Sequence, residues 1–435
     1  MIHSEIVTRD IGVTELLVVL ALAIALVSRR FKFPYTLALV LAGLLLGLLQ
    51  LIPDLRLDPD IVLFLFLPAL LFEGAWNIDT RALLANWLAI LLLAVPGLLI
   101  SLLVVGAVTH WGAGLPWLLA LLLGAIVSPT DPIAVLSLLR QLGMPDRLCA
   151  IIEGESLFND GIGAAAFVLV LGALLLTLGT GGPLAGLSGA LIALKALWLL
   201  GGGLLLGAAA GIAVSYLVRA VNDALLETAV TFGVAYGIFL VADDLGTSGL
   251  LAVVGAGLTL GSFGRRTGMS ERTREVVDTV WEFTGYLANS LLFLVLGVAL
   301  GSAPLFLALP IIAWAVLGVV LGRAIMVYTL LPLHDLLIRW RGRRTGGSGR
   351  IYGHLPVPPT WRPLILFSGL RGALSLALVL TLPPETPQRG LIELAVYGVV
   401  LVTLVGQGIG LRIILPRWPK AESPAAAEDR PVSVP

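Results

Sequence analysis

Residues 153–167 read E-G-E-S-L-F-N-D-G-I-G-A-A-A-F. Glu153, Glu155 and Asp160, with Ser156 and Asn159, are embedded there among Ile, Ala, Leu, Phe and Gly. On both sides the chain is apolar for long enough to lie in hydrocarbon. A charged side chain at mid-bilayer costs roughly 2.5–3.5 kcal/mol on insertion scales, so such a group of carboxylates points to a function. The rest of the chain reads as the housing for this segment.

The housing is a membrane protein by composition. Of 435 residues 58% are hydrophobic and only 12% charged, whereas a soluble protein carries about 25% charged residues. Long apolar segments recur from end to end, which sets the fold class as an all-α polytopic membrane protein. Fifty glycines fit close helix approach in a bilayer. Cys149 is the only cysteine, so an intrachain disulfide framework is excluded. His3, His110, His334 and His354 form no metal-ligand spacing, and no nucleophile–base set or phosphate loop appears. An enzyme, a resident cofactor and a nucleic-acid partner are therefore not expected. The first ten residues lack a basic region and a small-residue cleavage site, so the first span reads as retained.

Thirteen spans are expected, near 12–28, 35–52, 60–76, 84–108, 116–139, 147–177, 188–217, 225–242, 247–263, 281–302, 305–333, 362–382 and 390–415. Residues 264–280 and 334–361 read as longer polar loops. Residues 418–435, rich in Pro, Ala and charge, read as a disordered cytoplasmic tail. Twenty basic residues fall in the tail and the loops after odd-numbered spans. Only Arg9, Arg56 and Arg389 fall in the N-terminus and the loops after even-numbered spans. By the positive-inside rule the odd loops are cytoplasmic. The N-terminus is then outside and the C-terminus inside a cell (inner or plasma) membrane.

Two spans carry their own breaks. The fifth contains S-P-T-D-P at 128–132. Pro129 and Pro132 each remove a backbone donor and disfavour helix in the residue before them. Broken backbone persists at membrane depth only where it lines a cavity or meets protein partners. Thr130 and Asp131 lie between the prolines, so a hydroxyl, a carboxylate and freed carbonyls converge: hard oxygen ligands suited to an alkali cation. Asp131 can also cap the second half-helix. The twelfth span contains S-G-L-R-G-A-L-S at 368–375, where two glycines flank Arg371. With the seventh span as a linker, spans 1–6 match spans 8–13, and the two breaks fall at corresponding positions, as in inverted-repeat transporters.

On the sixth span Ser156, Asn159 and Asp160 share one helix face at i, i+3 and i+4. Asp160 can bind a cation or a proton beside Thr130 and Asp131. Glu155 points elsewhere, about 140° from Asp160 on an ideal helix, and needs a buried cationic partner, Arg323 or Arg371. Glu15 reads as interfacial, and Lys195 and Arg412 as snorkelling. Glu227, Asp243 and Asp244 read as lying at the rim or in an outer funnel. Glu73 is left between an interfacial or dimer-side role and ion access.

Together F-L-P-A-L-L-F-E (66–73), S-P-T-D-P (128–132), E-G-E-S-L-F-N-D-G (153–161), S-G-L-L-A-V-V (248–254) and G-L-R-G-A-L-S (369–375) resemble the monovalent cation:proton antiporters, in the electroneutral NhaP-like branch that includes the sodium/proton exchangers. The resemblance implies thirteen helices with inverted repeats and crossed broken spans, assembled as a homodimer. It implies one transporter domain over 1–417, with a mobile core (about 84–177 and 305–415) and a dimerisation scaffold (about 12–76 and 188–302). Asp160 is similar to the family's ion-and-proton carboxylate, and Asp131, Thr130, Ser156 and Glu155 would complete the ion's surroundings. Asn159 marks the electroneutral type. Glu155 is also similar to a structural glutamate paired with an arginine of the eleventh span. That favours Arg323 as its partner and leaves Arg371 open. The expected cargo is Na⁺, or Li⁺, against H⁺. Alternatives are K⁺/H⁺ exchange by the same machinery, and a cation channel.

Overall fold

The computed structural model describes residues 2–30, 35–51, 59–180, 184, 186–219, 223–344, 355–407 and 410. Among them every regular element is helical. In chain order the longer ones and those at the breaks are α1 (Ile2–Arg30), α2 (Tyr35–Leu48), α3 (Ile61–Asn77), α4 (Trp87–Ala113), α5 (Trp117–Val127), α6 (Ile133–Gln141), α7 (Asp146–Thr177) and α8 (Gly189–Val218). They continue as α9 (Ala224–Asp244), α10 (Gly249–Thr259), α11 (Glu271–Ser302), α12 (Leu309–Arg344), α13 (Arg362–Phe367), α14 (Ala373–Leu380) and α15 (Arg389–Val402). Seven helical stretches are long and apolar enough to cross a membrane, contained in or extending α4, α7, α8, α9, α11, α12 and α15. The fifth and twelfth expected spans are each two short helices, which no length criterion would find. The expected tail, Arg412 and the end of the thirteenth span lie outside the described residues.

Helix starts follow the polar residues that interrupt the apolar runs. Asp223 accepts the Leu225 and Leu226 amides at 2.9 and 3.1 Å and caps α9. Ser248 caps α10 through the Leu251 amide, and Ser270 caps α11 through that of Thr273. The Ser270 cap corrects the expected loop at 264–280. The helix resumes at Glu271 and runs through Glu271, Arg272, Arg274, Glu275 and Asp278 before its apolar part begins. The second expected loop, 334–361, is likewise shortened by α12, which continues to Arg344.

Small residues set the packing. A methyl group added at Gly43 or Gly47 of α2 would strike the carbonyls of Leu294 or Val298 on α11, and one at Gly297 or Gly301 would strike Val40 or Leu44. The two backbones are thus in direct contact, the arrangement small residues permit in lipid. α4 and α12 pack similarly, with Gly318 and Gly322 against Val105 and Ser101. Under the repeat relation, α2 against α11 corresponds to α10 against α3, and that pair is also packed.

Arg147, at the start of α7, fixes the segment leading into α13. Its guanidinium donates to Asn86 Oδ1 (2.7 Å), Leu355 O (2.5 Å) and Pro356 O (3.1 Å), and lies over the Trp361 ring. α7 and the second broken span are thereby held in register.

Candidate ion-binding site

The two breaks are where the sequence places them. α5 ends at Val127 and α6 begins at Ile133; α13 ends at Phe367 and α14 begins at Ala373. Between them the unwound stretches cross, and the Asp131 amide donates to the Leu370 carbonyl at 2.9 Å. This bond satisfies one donor and one acceptor released by the unwinding. The carboxylate of Asp131 accepts the Ile133 amide at 3.1 Å, capping α6. A Cβ on Gly372 would stand 2.7 Å from Asp131 Cβ, so only glycine lets α14 begin there. Asp131 therefore lies beside the N-termini of both α6 and α14, whose dipoles favour its negative charge.

The shared face of α7 meets the first break. Thr130 is held three ways: its amide donates to Asn159 Oδ1 (3.3 Å), its Oγ1 accepts from Asn159 Nδ2 (2.7 Å), and its carbonyl accepts from Ser156 Oγ (2.5 Å). Because Ser156 spends its only hydroxyl hydrogen on that carbonyl, its own oxygen lone pairs are left to face outward. Asn159 acts as a clamp on Thr130.

Asp160, Asp131, Thr130 and Ser156 line one cavity of about 130 Å³, together with Glu73, Glu153, Pro129, Pro132 and the first turn of α14 from Gly372 to Ser375. A water molecule takes about 30 Å³ in the liquid, so the space has room for several groups of that size. Oxygen is the only donor type its polar side chains offer, as hard cations prefer.

Glu155 is reassigned. It is 1% exposed and does not line the cavity. Both its carboxylate oxygens are bound by Arg323 of α12, through Nη1 to Oε1 and through Nη2 to Oε2 at 3.0 Å. The reason is its helix face, which turns it away from Asp160 towards α12. Arg323, 3% exposed, also donates from Nε (3.2 Å) and Nη2 (2.8 Å) to the Ile365 carbonyl near the end of α13, and from Nη2 to Ser368 Oγ (3.3 Å). One guanidinium thus ties α7, α12 and the second break together, with charge-assisted bonds at each contact. Arg371 does not pair with Glu155. Its Nη1 donates to Gly369 O at 3.2 Å and its amide to Thr403 Oγ1 at 3.3 Å, while Nε and Nη2 find no partner among the described residues.

Other acids take positions that sequence left open. Glu73 lines the cavity from α3 and accepts from Asn77 Nδ2 at 2.7 Å. Glu153, which had no assigned partner, pairs with the exposed Arg140 at 2.8 Å and also reaches the cavity wall. Glu227, in the first turn of α9, is buried and accepts from Thr273 Oγ1 at 3.4 Å, away from the cavity. Asp243 and Asp244 are exposed at the end of α9. Ser375 was not singled out; a hydroxyl in an apolar helix gives no signal without its neighbours in space.

Residues 17–417 match the family model for the transmembrane part of sodium/hydrogen exchangers. The chain is 37% identical over 411 residues to the Na⁺/H⁺ antiporter ApNhaP of Aphanothece halophytica, covering 92% of this chain and 74% of that one. It is 36% identical over 362 residues to the Na⁺/H⁺ antiporter NhaP of Pseudomonas aeruginosa, covering 82% and 81%. Its fold is similar to that of the sodium proton antiporter MjNhaP1 from Methanocaldococcus jannaschii at pH 8. The TM-score there is 0.74 at 20% identity, covering 96% of this chain and all of that one. With broken helices crossing at a carboxylate-lined cavity and a family match over almost its whole length, the chain belongs to the sodium/hydrogen exchanger family.

Proposed function

We propose that the chain is a secondary antiporter exchanging Na⁺ for H⁺ across a cell membrane, one for one, by alternating access at a single site. The observation that carries this reading is the single cavity on which Asp160, Asp131, Thr130 and Ser156 converge at the crossing of two broken helices. Its relatives' names as Na⁺/H⁺ antiporters support it. Asp160 holds a cation or a proton, never both. Asp131 and the oxygens of Thr130 and Ser156 complete the cation's shell and are not needed by the proton. Competition for one carboxylate couples the two fluxes without a separate gate. Neutralising the same charge in either direction moves no net charge, so voltage does not drive turnover; an unbalanced charge would contribute about 2.3 kcal/mol per 100 mV.

In the same reading the chain crosses the membrane thirteen times, with its N-terminus outside and its C-terminus in the cytoplasm, as the split of basic residues favours. A core containing α4–α7 and α12–α15 moves against a scaffold containing α1–α3 and α8–α11, and two copies join through the scaffold. No resident cofactor takes part.

The test is dye dequenching in proteoliposomes against Na⁺, Li⁺, K⁺ and Rb⁺. Na⁺-linked proton movement is expected from the native chain and its loss from Asp160→Asn; exchange surviving in Asp160→Asn sinks the assignment. A response to K⁺ in place of Na⁺ would move the cargo to the K⁺/H⁺ alternative. Clamping voltage with valinomycin and K⁺ should leave the Na⁺-linked rate unchanged, and a voltage-dependent rate would overturn the one-for-one exchange.

A further inference from the structure

We propose that the hydroxyl of Ser375, in the first turn of α14, is a cation ligand contributed by the second broken span. The inference rests on the Na⁺/H⁺ exchange reading and extends its ligand set. Interiors leave few buried polar groups without a partner, and each that remains calls for a ligand, a water or a functional reason. Among the described residues, several buried side-chain polar atoms lack a hydrogen-bond partner, including Ser128 Oγ, Asn289 Oδ1 and Ser375 Oγ. Of these residues, Ser375 is the one that lines the cavity of Asp160 and Asp131. It is 1% exposed, so bulk water does not satisfy it.

Its position explains how the site closes. Ser156 and Thr130 come from α7 and the first break, and Asp131 reaches Gly372 across the crossing. Ser375 lies on the wall formed by Gly372, Ala373 and Leu374, at the start of α14. Among the α14 residues that line the cavity, Gly372, Ala373 and Leu374 offer a cation no side-chain oxygen, and Ser375 offers one. The hydroxyl oxygen offers lone pairs, the donor a hard cation takes. A proton on a carboxylate needs no such shell. Ser375 therefore favours cation over proton and sets the balance of the competition.

The discriminating variant is Ser375→Ala, measured in proteoliposomes beside the native chain and Ser375→Thr. Losing one neutral ligand is expected to raise the apparent KM for Na⁺ about tenfold, with the maximal rate kept. At saturating Na⁺ the acid limb of the pH profile should move up by about one unit, because about tenfold fewer protons then displace the cation. Ser375→Thr, which keeps the hydroxyl, should return both towards native values. Stabilisation of the purified protein by Na⁺ against heat should shrink in Ser375→Ala, since ligand stabilisation follows affinity. An active native chain with unchanged KM, acid limb and Na⁺ stabilisation in Ser375→Ala overturns the ligand assignment. A native chain that moves no protons in response to Na⁺ overturns the exchange reading itself.

Discussion

Separating Glu155 from Arg323 gives the sharpest energetic test of the site's framework. Replacing Glu155 by leucine leaves a buried guanidinium whose two carboxylate contacts are gone. Breaking one side of a buried pair costs about 3–5 kcal/mol. Arg323→Met should cost at least as much, because it strands the carboxylate and also removes two of the three donors to the Ile365 carbonyl. In the double variant no charge remains. The chief loss is then the two bonds from Arg323 to the Ile365 carbonyl, about 1–3 kcal/mol for two hydrogen bonds. That carbonyl keeps the Ser368 hydroxyl as a donor at 2.8 Å. The singles together would cost about 6–10 kcal/mol if independent, so the double should fall short of their sum by about 3 kcal/mol or more. Equilibrium unfolding in mixed micelles measures all four corners of the cycle. Losses that add to within about 0.5 kcal/mol would refute the pair as the tie between α7, α12 and the second break. A transport arm separates structure from ligation: Glu155→Gln that stays folded should keep the native apparent affinity for Na⁺. A large affinity loss at unchanged stability would return Glu155 to the ion shell.

Gly372→Ala should purify as a folded protein yet lose Na⁺-linked proton movement by at least about tenfold, because the new methyl must displace Asp131 from the crossing; native rates in proteoliposomes would show that the close approach is not required. Asn159→Leu removes both side-chain contacts to Thr130, leaving its buried amide unpaired, and should lower stability by about 1–3 kcal/mol. Denaturant unfolding reads that loss directly, and an unchanged midpoint would exclude the clamp.

The breaks were readable because proline and glycine act locally. Pro129 and Pro132 remove two backbone donors within one turn, where the lone Pro332 leaves α12 unbroken, and the flanking glycines of Arg371 hint at the second break. The shared face of Ser156, Asn159 and Asp160 follows from helix geometry alone. Which arginine meets Glu155 does not, because it depends on how α12 is rotated against α7. Glu73 escaped for a related reason: α3 is apolar on every side, so hydropathy names no inward face. The helical continuation at 271–280 was hidden because Glu271, Arg272, Arg274, Glu275 and Asp278 lower its mean hydropathy, although they fill one side only and leave Thr273 and Val277 buried on the other. Insertions such as the π-helical turn from Leu93 to Gly97 around Pro96 likewise leave no periodic trace.

The bond from the Asp131 amide to the Leu370 carbonyl has a consequence for how such a transporter can diverge. It joins the two broken spans through main-chain atoms, so no substitution at position 370 can delete it, and at position 131 only proline can. Side chains around the crossing, Gly372 apart, can therefore change while this main-chain joint is kept. Exchange of Thr130, Ser156 or Ser375 for other oxygen donors would retune which ion is carried without rebuilding the part that moves. Selectivity and mechanics are then separately heritable, and a lineage can adapt to a new salt by changing a few side chains on an old hinge.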